Sequence, residues 1–473
     1  MMDRVYRGLG VSEYMKFSVL NPDGYDHVKF GEFRFDIPAG REAFQERLIE
    51  AFPHERDGII RYLESVKVMS EELMAATYAS TWKDRIKLPW RMRHVLAGGL
   101  LPLSRYLNRY VSDPILKSLL SVQAGDHGVA PSRALTALHC AIVNHYFEGG
   151  YYPVGGAKAI PRAFIKRLKK LGGQIRVRTA VERILTEDAG DGRRKAVGVR
   201  LAGGEEIRSS CIISNADPVV TYEHLLESSD VPAKVRRQLK RTTWSVASIG
   251  LFFAVNVDPR KFGLDSGNLW YCRTSDLERG YKLSMRPDAD ALENLDSLFL
   301  TCTTLKDPSK QRDDGHHTLE AFVLCSYEPF AAWKDSDVGE RPEAYNELKQ
   351  RVHNKIRALI EEAVPGLTEH IVFEEVGTPL TNQFYTAGNR GNMYGTEKNF
   401  AQIVLNPWPY KTPIEGLFMC GASTTGHGVA GATMSGVGAA AAALGCSPRR
   451  LMNANGPSSE LVDAESYGAA AAE

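Results

Sequence analysis

Residues 416–445, GLFMCGASTTGHGVAGATMSGVGAAAAALG, constrain this chain more than any other stretch. LFMC reads as a short buried strand, a glycine- and hydroxyl-rich turn follows, and the rest is a helix almost without large side chains. The run of alanines and glycines lets that helix pack tightly against a sheet. Its N-terminus is bare of side chains, so backbone N–H groups there can approach an anionic or electron-rich ligand edge. Close helix packing with no ligand explains the same residues. Gly426, Gly428 and Gly431 satisfy G-x-G-x-x-G, but a dinucleotide unit needs a second strand and an acidic residue about 20 positions on. SPRRLMNANGPSSE follows instead, which cannot be that strand. The dinucleotide reading is rejected here.

Other catalytic signatures are missing from the sequence. Gly8 and Gly10 are followed by Glu13 where a third glycine is needed, and there is no G-x-S-x-G, H-E-x-x-H or P-loop. His316 and His317 sit in the polar loop RDDGHH without spaced thiol or carboxylate partners, which reads as a surface loop and not a metal site. Lys+Arg of 58 against Asp+Glu of 57 leaves a net +1, so no whole-chain field favours nucleic acid. Seven scattered cysteines without a C-x-x-C pair read as thiols in a reducing compartment. No apolar run reaches the roughly 20 residues needed to span a bilayer. One local stretch stands out: residues 83–109, KDRIKLPWRMRHVLAGGLLPLSRYLNR, hold seven Lys/Arg and one Asp around VLAGGLLPL. That composition suits a segment lying on an anionic membrane surface, and equally a solvated helix-loop-helix with an apolar underside.

At 473 residues the chain has room for two to four domains or one large interleaved unit. YMKFSVL and HVKFGEFRFDI read as strands split by NPDGYD, and helical periodicity then runs from about residue 41 to 147, broken at Pro53. After Gly149 the expectation is a glycine turn, an amphipathic helix closed by Gly172 and Gly173, a strand at 174–178, and a hairpin through AVERILTE, AVGVRL and EEIRSS. CIIS reads as a buried strand entering a tight turn. SVASIGLFFAV, DSLFLTC and TLEAFVLCSY are strand candidates, and 343–363 is an amphipathic helix closed by Pro365 and Gly366. The tail after Cys446 reads as disordered.

The blocks NHYFEGGYYPVGGAKAI, CIISNAD, GTPLTNQFYTAGNRGNMYG and GLFMCGASTTGHGVAGATMSG together resemble the phytoene desaturase superfamily of flavoproteins. Within it, they are most similar to the retinol-saturating branch (all-trans-retinol 13,14-reductases), with the carotenoid cis-trans isomerases next. The resemblance runs from about residue 15 to 446. It implies an α/β fold with α+β elements: an incomplete Rossmann-like FAD/NAD(P)-binding domain of amine-oxidase type, interleaved with a mixed-sheet and helical substrate domain. The expected division is 1–148 as a substrate- and membrane-facing part, 149–225 and 376–446 as FAD-domain segments, 226–375 as the substrate-domain sheet and helix, and 447–473 as the tail. The implied cofactor is FAD, with NAD(P)H as an electron donor.

Carried over by position, Gly421 meets the ribityl chain, and the amides of Gly428 and Val429 face the pyrimidine side of the isoalloxazine. Ala422 stands where many relatives have an acidic residue bonding a ribityl hydroxyl. Val181 matches a position whose backbone meets the adenine, and Gly155 and Gly156 match a glycine pair that opens a helix. His145, Tyr385, Arg390 and Tyr394 are candidates to line the tunnel of an apolar polyene substrate, walled by strands at 247–255 and 296–304. Ordinary core or interdomain hydrogen bonds explain each of the four as well. The family's opening strand, G-x-G-x-x-G and second-strand acid have no counterpart in this sequence. A fragment of a longer protein is the favoured explanation, over a shortened isoform or a protein of different role. The implied activity is hydride exchange between flavin and a C=C bond of a retinoid- or carotenoid-like polyene, with peripheral attachment to a membrane. The alternatives are a cis-trans isomerase using reduced flavin and a flavin-free lipid-binding remnant.

Overall fold

Alternation along SVASIGLFFAV sets the centre of a sheet. Ala247, Ile249, Leu251, Phe253 and Val255 share one side of their strand and are at most 2% exposed. In the computed structural model the described residues are 2–77, 82–310, 314–424, 426–453 and 455–466, with no side chains described at 77, 82–85 and 308. Among them the early strands are β1 (Lys16–Val19), β2 (Asp26–Phe30), β3 (Phe33–Ile37) and β4 (Tyr151–Pro153). The middle of the chain adds β5 (Val181–Asp188), β6 (Arg194–Leu201), β7 (Glu206–Arg208) and β8 (Ile212–Ser214). There follow β9 (Ala247–Val255), β10 (Asn268–Cys272), β11 (Ser297–Cys302) and β12 (His317–Cys325). The last three are β13 (Ile371–Gly377), β14 (Leu417–Met419) and β15 (Glu460–Asp463).

The chain divides into two compact units that exchange the backbone repeatedly. The first comprises Met1–Tyr14, Arg162–Ser245 and Thr381–Ser459; the second comprises Met15–Pro161, Val246–Leu380 and Glu460–Glu473. The second unit is built on a mixed seven-stranded sheet in the order β13-β9-β12-β11-β10-β2-β3, with β2 and β10 parallel. The helix Glu343–Ala363 covers one face through Leu348, Val352, Ile356, Leu359 and Ile360, all at most 4% exposed. Each such side chain contributes roughly 1.5–3 kcal/mol by leaving water. A second core joins Phe35 and Ile37 to Phe44 and Leu48 of the helix Arg41–Ala51, and to Ile59, Leu63 and Val66 of the helix Arg56–Thr77.

The first unit carries the antiparallel sheet β5-β6-β7, the parallel pair β8-β14 and the helix Gly428–Leu444. The fold is α/β with mixed sheets. Gly155 and Gly156, expected with the segment 149–225, fall in the second unit.

Several local expectations need correction. Residues 174–178 form no strand: Ile175 and Val177 are exposed and Arg178 takes a left-handed φ of 54°. A short extended piece without a neighbour to accept its ladder has nothing to hold it. CIIS is only partly buried, because β8 pairs with β14 alone and leaves Ile213 43% exposed. NLWYC, overlooked in the sequence, is β10. Part of the tail is a strand, for β15 adds to β1 in parallel, with Leu461 opposite Phe17. Residues 467–473 lie outside the described residues.

Candidate functional site

The end of β14 places the small-residue turn. Leu417 and Met419 are at most 1% exposed and Phe418 9%, so the strand is anchored as a buried rod beside β8. Cys420 N–H then donates to Ser214 O at 2.9 Å, and the chain leaves the sheet at Gly421 with φ 102°. A Cβ at Gly421 would sit 2.7 Å from Asn215 Oδ1, so glycine is required both for conformation and for space. Gly421 N–H donates to the buried Ser435 Oγ at 2.7 Å, which ties the turn to the helix it precedes. Thr424 closes the turn by donating N–H and Oγ–H to Gly421 O, at 3.1 and 2.8 Å.

The helix itself begins openly. His427, its N-cap residue, gives no side-chain cap hydrogen bond; Gly428 has φ 68° with open space around it, and Val429 is 54% exposed. The first-turn amides are therefore uncapped by the N-cap side chain and reachable, at the positive end of a 17-residue helix. Farther along, Ser435, Val437, Gly438, Ala439 and Ala441 are buried. A Cβ at Gly438 would meet the Tyr410 ring at 2.5 Å, which explains why this helix dispenses with large side chains.

Three of the four sequence blocks meet around this turn. Asp217, from CIISNAD, accepts hydrogen bonds from Asn389 N–H at 3.3 Å and Asn392 Nδ2 at 3.2 Å, in the NRGN run. Burial raises its carboxyl above the usual range against those bonds and the one from Val219 N–H. Gly395 N–H donates to Asn392 Oδ1 at 2.7 Å, and a Cβ at Gly395 would come within 2.7 Å of Ser423 Oγ. The backbone of 394–396 is thus pressed against 422–423.

Of the four tunnel candidates, Tyr394 is the one placed at the turn, its ring 4.9 Å from that of His427. Tyr385 is 78% exposed on the helix Pro379–Thr386, and Arg390 is exposed with a left-handed φ of 58°. His145 lies exposed at the end of the helix Thr136–Tyr146 in the second unit. Val181 opens β5 on the three-stranded sheet of the first unit, opposite Leu201. Gly155 and Gly156 take φ of 92° and 81°, and Gly155 N–H donates to the fully buried Asp307 at 2.9 Å.

Sequence reasoning missed Lys398. It is 2% exposed, and its Nζ donates to Ala422 O at 2.8 Å and Thr396 Oγ1 at 3.4 Å. Burial alone lowers its pKa to about 8. Charge complementarity could not have shown it, because its main partner is a backbone carbonyl.

The second unit offers an apolar wall. On the sheet face away from the helix Glu343–Ala363, Trp270, Phe299 and Phe322 stand side by side across β10, β11 and β12, with ring centroids 4.8 Å apart in each step. They line a pocket of about 60 Å³ closed by Leu277, Gly280 and Tyr281. Beside Trp270, Asn268 Nδ2 donates to buried Asp26 at 2.7 Å and Asn268 Oδ1 accepts from buried Lys306.

The family described as flavin containing amine oxidoreductase matches residues 11–444. The chain belongs to that family. It is, in kind, a flavoprotein oxidoreductase. An all-trans-retinol 13,14-reductase of Danio rerio is 29% identical over 418 residues, covering 84% of this chain and 68% of its own length. Prolycopene isomerase 1, chloroplastic, of an Oncidium hybrid cultivar is 28% identical over 416 residues, covering 84% of this chain and 65% of its own length. Among solved structures, a triple mutant of putrescine oxidase shares the fold with a TM-score of 0.57 at 14% identity, covering 93% of this chain and 83% of that one.

A flavin fits the turn on the geometry present. Glycine at 421 lets the turn close against Asn215, and the Gly428 end of the helix, with open space at Gly428 and no cap from the His427 side chain, presents its amides to an electron-rich ring edge. The sequence supplies no strand–GxGxxG–helix unit for the pyrophosphate, so these residues account for the ring and ribityl side alone.

Proposed function

We propose that this flavoprotein saturates or desaturates a C=C bond of a retinoid- or carotenoid-like polyene with FAD as cofactor and NAD(P)H as electron donor. The N-terminus of the helix Gly428–Leu444, without a cap from the His427 side chain and set behind the glycine turn, carries this reading. Retinol reductases and prolycopene isomerases among the relatives support the substrate class. A flavin held there would supply hydride exchange with one carbon of the double bond, while a proton is added to or lost from the neighbouring carbon. The chain's own part is positioning. The amides of Gly428 and Val429 would favour negative charge on the ring edge, and the Gly421–Ala422 turn would lie along the ribityl chain. Tyr394 and His427 border the turn. The aromatic row Trp270, Phe299 and Phe322 offers an apolar chain a surface that excludes water.

The test is anaerobic incubation of FAD-reconstituted protein with all-trans-retinol and a reductant. A mass gain of two hydrogens is expected. Unchanged mass with altered double-bond geometry would instead support isomerisation, the second reading that the prolycopene isomerase likeness favours. A colourless chain that takes up no added FAD would leave only the lipid-binding remnant.

The same reading places the protein peripherally on a membrane through 83–109. Ile86 and Trp90, one helical turn apart, are 69% and 79% exposed, and Leu96 is 54% exposed. Lys87, Arg91 and Arg93 are exposed among them. Glu72 fixes the segment to the preceding helix by accepting from the N–H groups of His94 and Val95. The side chains of Lys83, Asp84 and Arg85 lie outside the described residues. Among the described residues no helix is long and apolar enough to cross a membrane. Co-sedimentation with anionic vesicles, abolished in Trp90→Glu and weakened by salt, is the expected result; equal binding by that variant would remove the assignment.

A further inference from the structure

Lys398 is the buried cation that the proposed flavin chemistry leaves unexplained. The residue is 2% exposed, and its ammonium donates to a hydroxyl and a backbone carbonyl, Thr396 Oγ1 and Ala422 O. Among the described residues no charged neighbour acts on it, burial being the one influence on its ammonium. An isolated buried ammonium is costly, so a protein that merely needed to fill this space would do better with an apolar side chain of the same length. The carbonyl it holds belongs to the residue directly after Gly421, where the chain turns from β14 toward the helix Gly428–Leu444. The segment bearing Lys398 is itself fixed from the other side: Gly395 O accepts from Ser245 N–H at 2.9 Å, and Glu397 N–H donates to Thr243 O at 2.9 Å. A rigid strand-like support thus delivers one positive charge to the back of the turn.

We propose that Lys398 is a positioning residue that braces the 421–424 turn through the Ala422 carbonyl, and that its positive charge favours the reduced, anionic form of a flavin held by that turn. The second half rests on the flavin reading above; the first does not. Its pKa, brought down to about 8 by burial, leaves it a cation at pH 7. Ala422 itself offers no charge to neutralise it. The ammonium and the positive end of the helix therefore act with the same sign on whatever the turn holds.

Two variants separate brace from charge. Lys398→Met removes both, and Lys398→Gln keeps an N–H donor without the charge. In flavin-free protein, amide hydrogen exchange across 421–424 should become roughly fivefold faster in K398M, with K398Q closer to wild type. In FAD-reconstituted protein, both variants should bind reduced flavin about tenfold more weakly relative to oxidised, a fall of about 30 mV in a two-electron midpoint potential. Unchanged exchange in K398M overturns the brace. An unchanged potential in both variants overturns the charge effect. Wild-type protein that takes up no FAD overturns the flavin reading and the charge effect together, while the exchange result still decides the brace.

Discussion

Two buried lysines, one in each unit, solve the same electrostatic problem in different ways. Lys306 is 6% exposed in the second unit and Lys398 is 2% exposed in the first. Burial drives both pKa values down to about 8. Lys306 has company: Asn268 accepts its Nζ and passes a hydrogen bond on to the Asp26 carboxylate, which also takes one from Gln123 at 3.3 Å, and the Tyr152 ring lies 5.7 Å from Nζ. Lys398 has a carbonyl and a hydroxyl. Their partners mark which charge belongs to the scaffold. A cation answered by a carboxylate one side chain away is a fastening inside a sheet domain. A cation answered by a backbone carbonyl and a hydroxyl at the glycine turn has no carboxylate to fasten, and its charge acts on the turn.

Removing the fastened lysine should have the largest effect. Lys306→Met leaves Asp26, 3% exposed, buried without its cation, and should cost about 3 kcal/mol in urea unfolding. Adding Asp26→Asn should recover part of that loss, because the stranded charge disappears with it. A loss well under 1 kcal/mol would show that Lys306 is no more a structural partner than Lys398.

The second unit holds another fastening that titrates. His27 lies between Asp36 Oδ1 at 2.7 Å and Asp265 Oδ1 at 2.9 Å. Burial alone would lower its pKa, but the hydrogen bonds and charges of Asp265 and Asp36 outweigh it and raise the value to about 9. The folded pKa exceeds the unfolded value of about 6.5, so this stabilisation is complete below that pH and is lost as pH rises towards 9. Wild-type stability should therefore fall by roughly 2–3 kcal/mol across that window, relative to a His27→Gln variant measured in parallel. Parallel pH profiles for the two proteins would refute the triad as a stability element.

The two regions were not equally legible in the sequence. Where side chains repeat at the period of the element, the outline could be read closely. The helix Glu343–Ala363 and the strand Ala247–Val255 lie where 343–363 and SVASIGLFFAV put them. The strand, turn and helix of 416–445 were also readable, because so few residues there can fill space. What could not be read is partnership across sequence. Asp26 and Asn268 are separated by 242 positions and Lys398 and Ala422 by 24, with no spacing rule linking either pair. The absent strand at 174–178 and the unforeseen β15 fail for the same reason from opposite sides: a strand exists only where a neighbour accepts its hydrogen bonds. Of the tunnel candidates, Tyr394 reaches the turn while Tyr385 and Arg390 remain exposed, which periodicity in PLTNQFY and NRGN does not reveal.

A smaller effect probes the turn itself. Gly421→Ala must place a methyl 2.7 Å from Asn215 Oδ1 in a backbone region that disfavours any side chain. A cost on the order of 2 kcal/mol is expected, with loss of flavin uptake. Gly428→Ala meets open space and carries the left-handed penalty alone, on the order of 1 kcal/mol. Equal costs in thermal unfolding would mean that Asn215 yields and that Gly421 is kept for conformation only.

The smallest expected change returns to Lys398. A methionine there keeps the length of the side chain, removes a desolvated charge and gives up one good hydrogen bond at 2.8 Å. Losing the bond costs about 1 kcal/mol, and relief from burying an unanswered ammonium offsets a similar amount. Lys398→Met should thus unfold within about 1 kcal/mol of wild type, against the much larger loss for Lys306→Met. Near-neutral stability combined with faster exchange at 421–424 would place this lysine's value in the turn it supports. A loss as large as that of Lys306→Met would instead mean that both lysines are fastenings, and that the contrast between the two units lies in their partners and not in their purpose.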